Sequence, residues 1–145
     1  MKVRELMSKP VVRIHADEPI SVAARTLTHY NIGAMPVCGT DGKLCGFITD
    51  RDIVTRCLAA ERAPDRTKVR DVMTGKVISA TPDMDTGAAA SLMGRQQVRR
   101  LPVVEGSKLC GMLSLGDLSK REESAMDAAD ALSDITSNVS DGAVW

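Results

Sequence analysis

Two segments of the chain carry the same three useful residue types at the same spacing: Gly46-x-x-Thr49-x-x-Asp52 and Gly111-x-x-Ser114-x-x-Asp117. Glycine lets a ligand or a neighbouring backbone approach closely. A hydroxyl at a strand-to-helix junction stands among backbone N–H groups that point outward and favour phosphate. A carboxylate three residues later lies one helical turn on, on the same face. An ionised aspartate only accepts hydrogen bonds, which suits a vicinal diol such as the two hydroxyls of a ribose. The same spacing is also an ordinary helix-capping arrangement, and one copy alone reads best as that. Two copies, each just after a glycine-terminated strand, favour a binding role.

The duplication extends well beyond the motif. Val3-Arg4-Glu5-Leu6-Met7 returns as Val69-Arg70-Asp71-Val72-Met73, and Lys43-Leu44-Cys45-Gly46 returns as Lys108-Leu109-Cys110-Gly111. Ile32-Gly33-Ala34-Met35-Pro36-Val37 answers to Val98-Arg99-Arg100-Leu101-Pro102-Val103. The offset is about 66 residues, dropping by one after a shortened turn. A repeat of this length sets the architecture before local propensity is consulted.

Within each copy the pattern is β-α-β-β-α. Val11 to Ile14 is β-branched and strand-like. Asp17-Glu18-Pro19 reads as a helix start, with Asp17 as cap and Pro19 in the first turn. Val22, Ala23, Thr26, Leu27 and Tyr30 follow at helical spacing. Ala34 to Cys38 is a second strand, edge-like or irregular because of Pro36. Thr40-Asp41-Gly42 is a hairpin turn. Leu44 to Ile48 is the third strand, and Thr49-Asp50 opens a helix with Ile53, Val54, Cys57 and Leu58 inward. The second copy places strands at Val77–Ala80, Arg100–Val104 and Leu109–Leu113, and helices at Pro82–Gln96 and Leu115–Arg121, the first capped at Thr81-Pro82-Asp83. The fold class is therefore α/β (α+β), two tandem β-α-β-β-α repeats packed with pseudo-two-fold symmetry. Residues 1–60 are the first repeat, 61–68 a solvated linker, 69–121 the second repeat and 122–145 a polar C-terminal helix or tail. Met126, Ala129, Leu132 and Ile135 mark the apolar stripe of that helix; Ser137 to Trp145 reads as loose.

Composition narrows the function. At 145 residues and 43% hydrophobic, the chain suits one ordinary domain or two halves sharing a core. The formal net charge is zero, so nothing draws it toward nucleic acid or a membrane surface. One Trp, one Tyr and one Phe leave no stacking platform for single strands. No apolar run is long enough to span a bilayer, and the first residues lack a signal-peptide core, which predicts a cytoplasmic place. Cys38, Cys45, Cys57 and Cys110 form no metal pattern. Cys45 and Cys110 read as small buried hydrophobes, with a Cys38–Cys45 bridge as the alternative. His15 and His29 have no counterparts in the second copy, where Thr81 and Arg95 stand, so no catalytic residue is assigned.

The repeat, the hydrophobic-Pro-Val strand and the duplicated Gly-x-x-Thr/Ser-x-x-Asp signature resemble a pair of CBS (cystathionine-β-synthase) domains, a Bateman module, over residues 1 to 121, as in stand-alone bacterial two-CBS proteins. The resemblance implies a non-catalytic sensor of adenosine-containing ligands: AMP, ADP, ATP, S-adenosylmethionine or NAD(H), held in two clefts between the repeats. It requires no cofactor; an adenine nucleotide would be the regulatory ligand. Carried onto this chain, one cleft would use Ile48, Thr49, Arg51 and Asp52 facing Lys76, Val77, Ile78, Val98, Arg99 and Arg100. The other would use Leu113, Ser114, Gly116 and Asp117 facing Lys9, Pro10, Val11, Val12, Ile32, Gly33 and Ala34. With Arg51, Lys76, Arg99 and Arg100 the first is expected to prefer phosphates; the second, with Lys9 as its cation, to take a less charged ligand or none. The resemblance also implies a homodimer, with Ile53, Val54, Cys57 and Leu118 as core or interface residues, and an effector protein as signalling partner. The rival reading is a protein-interaction scaffold with degenerate, ligand-free clefts.

Overall fold

The computed structural model describes residues 1–142, apart from the side chains of residues 122, 123 and 138–142. The fold is mixed α+β. Its elements are β1 (Ile14–His15), α1 (Ile20–Tyr30), β2 (Ala34–Cys38), β3 (Leu44–Thr49), α2 (Asp50–Asp52), α3 (Thr86–Gln96), β4 (Arg100–Glu105), β5 (Lys108–Ser114), α4 (Leu115–Ser119) and α5 (Glu122–Gly142). A π-helical stretch, Ile53–Leu58, continues α2. Short 3-10 turns occupy Val3–Glu5 and Val69–Asp71.

The chain divides into two compact units, and each unit contains the leading segment of the other repeat. One unit comprises Val12–Val77 with Gly106–Leu109; it holds the first motif. The other comprises Met1–Val11, Ile78–Glu105 and the chain from Cys110 onward; it holds the second. The backbone shows why. The Val69 N–H donates to the Glu18 carbonyl at 2.9 Å and the Arg70 N–H to that of Ala16 at 3.0 Å. One repeat on, the Val3 N–H donates to Met84 at 2.9 Å and the Arg4 N–H to Pro82 at 3.0 Å. Val69 and Val3 are both fully buried and join the separate cores of the two units.

The residues just ahead of these leading segments cap the long helices. Asp17 is not the cap of α1; Pro19 is, and it has no side chain able to serve. The free N–H groups of Ile20 and Ser21 instead donate to the carbonyls of Thr67 (2.8 Å) and Pro64 (3.0 Å). Residues 61–68 are thus more than a solvated connector, and Thr67 is buried. In the other unit α3 starts at Thr86 rather than Pro82, because Asp85 accepts from the Gly87 N–H and the Thr86 N–H donates to the Met1 carbonyl at 2.9 Å.

The first-motif unit carries a three-stranded sheet, β1 parallel to β2 and β2 antiparallel to β3. Pro36 therefore sits on the central strand, not an edge. It is tolerated because β1 is only two residues long and pairs with Val37 and Cys38, while Phe47 opposite Pro36 exchanges its backbone bonds with Thr74. The second-motif unit has the β4–β5 pair, and the expected strand at Val77–Ala80 reduces to a parallel bridge between Ala80 and Val103.

Two expected apolar faces are turned differently. Ile53 and Cys57 are buried, as is Leu118 in the other unit, but Val54 is 55% and Leu58 54% exposed. In α5 the buried positions are Ser124, Ala128, Ala131 and Ile135; Met126 is 76% and Leu132 42% exposed. The inner face is chosen by how closely α5 lies on α3. A Cβ placed on Gly94 would stand 3.4 Å from the Ala131 Cα and 3.0 Å from an Asp134 carboxylate oxygen. Only small residues fit that approach. Helix α5 is one continuous element through Gly142, so Ser137 to Gly142 is helical rather than loose, and Trp145 lies outside the described residues.

Candidate functional site

Each motif is built at a strand-to-helix corner. In the first, β3 ends at Thr49, whose hydroxyl accepts the Asp52 N–H at 2.9 Å while the Thr49 N–H donates to Asp52 Oδ2 at 3.2 Å. In the second, Ser114 Oγ accepts the Asp117 N–H at 3.0 Å and the Ser114 N–H donates to Asp117 Oδ2 at 2.9 Å. Both are reciprocal capping boxes. Capping uses Oδ2 and leaves the other oxygen of each carboxylate, Oδ1, with long ion pairs alone: Arg56 at 3.9 Å from Asp52 and Lys120 at 3.6 Å from Asp117. A largely buried carboxylate with one oxygen fixed and the other free of short hydrogen bonds is a rigid acceptor for an incoming hydroxyl.

The glycines serve packing more than ligand approach. A Cβ on Gly46 would come within 2.5 Å of Met73 Sδ and 2.8 Å of the Thr74 carbonyl oxygen; on Gly111 it would meet Met7 Sδ at 2.7 Å. The exchanged leading segments therefore lie directly against the motifs. Thr74 exchanges two backbone hydrogen bonds with Phe47 (2.9 and 2.8 Å), and its hydroxyl donates to Asp52 Oδ2 at 3.4 Å. Ser8 exchanges the same pair with Met112 (2.8 and 3.2 Å). Thr74 is the residue against the motif that the sequence reading missed; its signal was the Met-Thr and Met-Ser pairs closing both copies of the leading segment.

Around the first motif the same unit holds Ile48, Thr49, Arg51 and Asp52 together with Lys76 and Val77, and also Val12, Ile32, Gly33 and Ala34. The second-motif unit holds Leu113, Ser114, Gly116 and Asp117 with Lys9, Pro10 and Val11, and also Ile78, Val98, Arg99 and Arg100. Arg99 and Arg100 line a groove of about 760 Å³ with Ser114 and Gly116. The Leu115 N–H donates to the Arg99 carbonyl at 3.0 Å, which ties the strand start to the corner.

The four cysteines are free. Cys45 and Cys110 are not buried hydrophobes: one is exposed, the other half-buried. Their thiols donate to the Val37 and Val103 carbonyls at 3.4 and 3.3 Å, the former at a bulge where the β2–β3 register shifts. Lost hydration pushes the thiols of Cys38, Cys45 and Cys110 above their ordinary range. Alkylation of Cys45 by iodoacetamide at pH 7.5 should therefore run slower than for free cysteine and keep rising with pH beyond 9. Peptide mass spectrometry across a pH series checks this; labelling as fast as free cysteine at pH 7.5 contradicts it. His15 is engaged locally, accepting the Asp17 N–H at 3.0 Å, and the His29 ring stands edge-on to Tyr30 at 4.8 Å. Among the described residues no helix is long and apolar enough to cross a membrane.

The CBS-domain family profile matches the chain twice, over residues 3–59 and 69–124. The chain belongs to the CBS-domain family. It is 38% identical over 136 residues to the uncharacterized protein YlbB of Bacillus subtilis, covering 93% of this chain and 91% of that one. Hypoxic response protein 1 of Mycobacterium tuberculosis is 30% identical, covering 81% and 82%. Among solved structures, the CBS domain pair of protein MJ0100 in complex with 5'-methylthioadenosine and S-adenosyl-L-methionine superposes with a TM-score of 0.71 at 30% identity, covering 83% of this chain and 94% of that one. The chain is thus a CBS-domain pair, a regulatory module by family.

Proposed function

We propose that this CBS pair is a non-catalytic sensor of an adenosine-containing ligand, with Asp52 and Asp117 as ribose acceptors, and that it signals through a separate effector protein. One observation carries the reading. Both repeats keep the hydroxyl and the carboxylate in one geometry, and in both the cap leaves Oδ1 free of any short hydrogen bond. A cap alone needs one carboxylate oxygen. The adenosyl ligands of the MJ0100 pair support this ligand class. AMP, ADP, ATP and NAD(H) share the ribose diol and belong to the same class. The low aromatic content is consistent with half-buried aliphatic side chains such as Val11, Val12 and Val77 contacting the adenine, whereas Ile48 and Leu113 are fully buried in the cores and support the motifs from beneath.

Thermal unfolding with AMP, ADP, ATP, S-adenosylmethionine, 5'-methylthioadenosine, NADH and the guanosine nucleotides tests it. A ligand at 100 times its Kd stabilises by about 2.7 kcal/mol, several degrees for a chain of this size. Asp52→Asn and Asp117→Asn keep an acceptor for the cap and remove the charged partner of the diol. The expected result is a shift with at least one adenosyl ligand that is reduced by half or more in one of these variants. No shift with any ligand would replace the sensor with the interaction-scaffold reading.

A further inference from the structure

Arg56 ties the first motif to the leading segment that lies against it. It stands four residues after Asp52, one helical turn on, because α2 and its π-helical continuation run unbroken to Leu58. Its Nη1 donates to the Val72 carbonyl at 3.3 Å and to the Met73 carbonyl at 3.2 Å. Those carbonyls follow the 3-10 turn Val69–Asp71, and the last carbonyls of a turn need partners from outside it. The Arg56 Nε stands 3.9 Å from Asp52 Oδ1, while the Thr74 hydroxyl reaches Asp52 Oδ2 at 3.4 Å. The contacts form a closed loop: Asp52 to Arg56, Arg56 to Val72 and Met73, and Thr74 back to Asp52.

The second repeat has matching residues without the loop. Arg121 answers to Arg56 and Ser8 to Thr74. Helix α4, however, ends at Ser119 with Lys120 as its cap. Arg121 lies beyond it, exposed, with its carbonyl accepting the Ser124 N–H at 3.1 Å as α5 begins. Among the described residues no side-chain bond joins Asp117 or Arg121 to residues 6–8. The Asp117 carboxylate has its own cap and Lys120 at 3.6 Å.

We infer that Arg56 is a positioning residue of the first ligand site: it fastens residues 72–74 against the motif, and the second site works without this fastening. With the segment seated, Thr74 holds Asp52 Oδ2 and Oδ1 is left to an incoming hydroxyl. A site held in its binding geometry beforehand loses less freedom when ligand arrives. Arginine suits the task because one planar guanidinium presents Nη1 to both carbonyls and Nε to Asp52 at once. The single ammonium of lysine cannot do the same. By linkage, a ligand on Asp52 must tighten residues 72–74 in return. The ligand half of this inference rests on the sensor reading; the fastening does not.

Amide hydrogen exchange on the ligand-free full chain, with calorimetric titration of AMP and 5'-methylthioadenosine, tests it. The amides to follow are Phe47 and Thr74, which donate to each other's carbonyls at 2.9 and 2.8 Å. Arg56→Ala should speed both by about tenfold or more, the scale of a lost charge-assisted hydrogen bond, with the rest of the first-motif unit unchanged. Arg56→Lys should also exchange faster than wild type there, by less. Arg121→Ala should leave the amides of Ser8 and Met112 as they were. On an Asp117→Asn background, where the first site is read, affinity for an adenosyl probe should fall in the same order, Arg56→Ala more than Arg56→Lys. On an Asp52→Asn background neither Arg56 variant should matter. Unchanged exchange at Phe47 and Thr74 overturns the inference. So does exchange that rises evenly across the unit, which marks plain destabilisation, and so does affinity that holds while the two amides exchange faster. A parent chain that binds neither probe defeats the sensor reading and the ligand role with it; faster exchange at the two amides would still uphold the fastening.

Discussion

Gly46→Val should cost this protein about 3 kcal/mol, the upper end of what overpacking costs. The first added carbon already stands 2.5 Å from Met73 Sδ and 2.8 Å from the Thr74 carbonyl oxygen. The methionine side chain can swing aside; the carbonyl cannot, because it accepts the Phe47 N–H at 2.9 Å. Valine suits a strand better than glycine does, but by less than the overpacking costs. The leading segment must therefore lift off the sheet, and Thr74 leaves Asp52 with it. A urea midpoint lower by about 1–2 M at unchanged m would record this. Any adenosyl-ligand shift should vanish from this unit as well. Gly75→Val, where an added Cβ meets nothing within 4 Å, is the control and should stay within about 0.5 kcal/mol. Equal stability of the two variants would mean that the leading segment does not press on the motif.

Gly94→Leu should separate α5 from α3. The contact there is close enough that an added Cβ would lie 3.4 Å from the Ala131 Cα and 3.0 Å from Asp134 Oδ2. Leucine recovers about 0.8–1 kcal/mol of helix propensity over glycine, while overpacking by a whole side chain costs about 1–3 kcal/mol. The expected net loss is about 1–2 kcal/mol. Rapid cleavage within α5 by a protease should accompany it, because Ala128, Ala131 and Ile135 lose their buried setting. The matching residue of the first repeat, Thr28, is exposed and has no helix upon it. Thr28→Leu should leave both stability and cleavage unchanged. A Gly94→Leu protein with wild-type cleavage would show that α5 docks without needing that glycine.

The repeat made the order of strands and helices readable, because period and turn residues act locally. So were the two motif corners: a capping box is complete within four residues, and Thr49–Asp52 and Ser114–Asp117 satisfy it without outside help. What escaped the sequence lies in partners far along the chain. Asp17 and Thr81 looked like caps because they precede a proline, yet the N–H groups at the helix starts find Thr67 and Met1 instead. Met126, Ala129 and Leu132 looked like the inner stripe of the last helix because they are the larger or regularly spaced apolar residues. Close approach to Gly94 reversed that preference in favour of Ala128 and Ala131. Val54 and Leu58 point outward for a related reason: the π-helical turn places Ile53 and Cys57 on the core side. Arg99 and Arg100, assigned by resemblance to face Thr49 and Asp52, line a groove with Ser114 and Gly116.

The exchange of leading segments also orders events in time. Residues 1–8 are made well before the groups they bind, among them Pro82, Met84 and Met112. At about 5–20 residues per second a ribosome delivers Met112 roughly 5–20 s after Ser8. Residues 67–74, by contrast, follow closely on Ala16, Glu18 and Phe47, the groups they bind. The unit of the first motif can thus close most of its backbone bonds while the chain is still being synthesised, whereas the unit of the second must hold its opening strand of residues in reserve until the sheet it belongs to emerges.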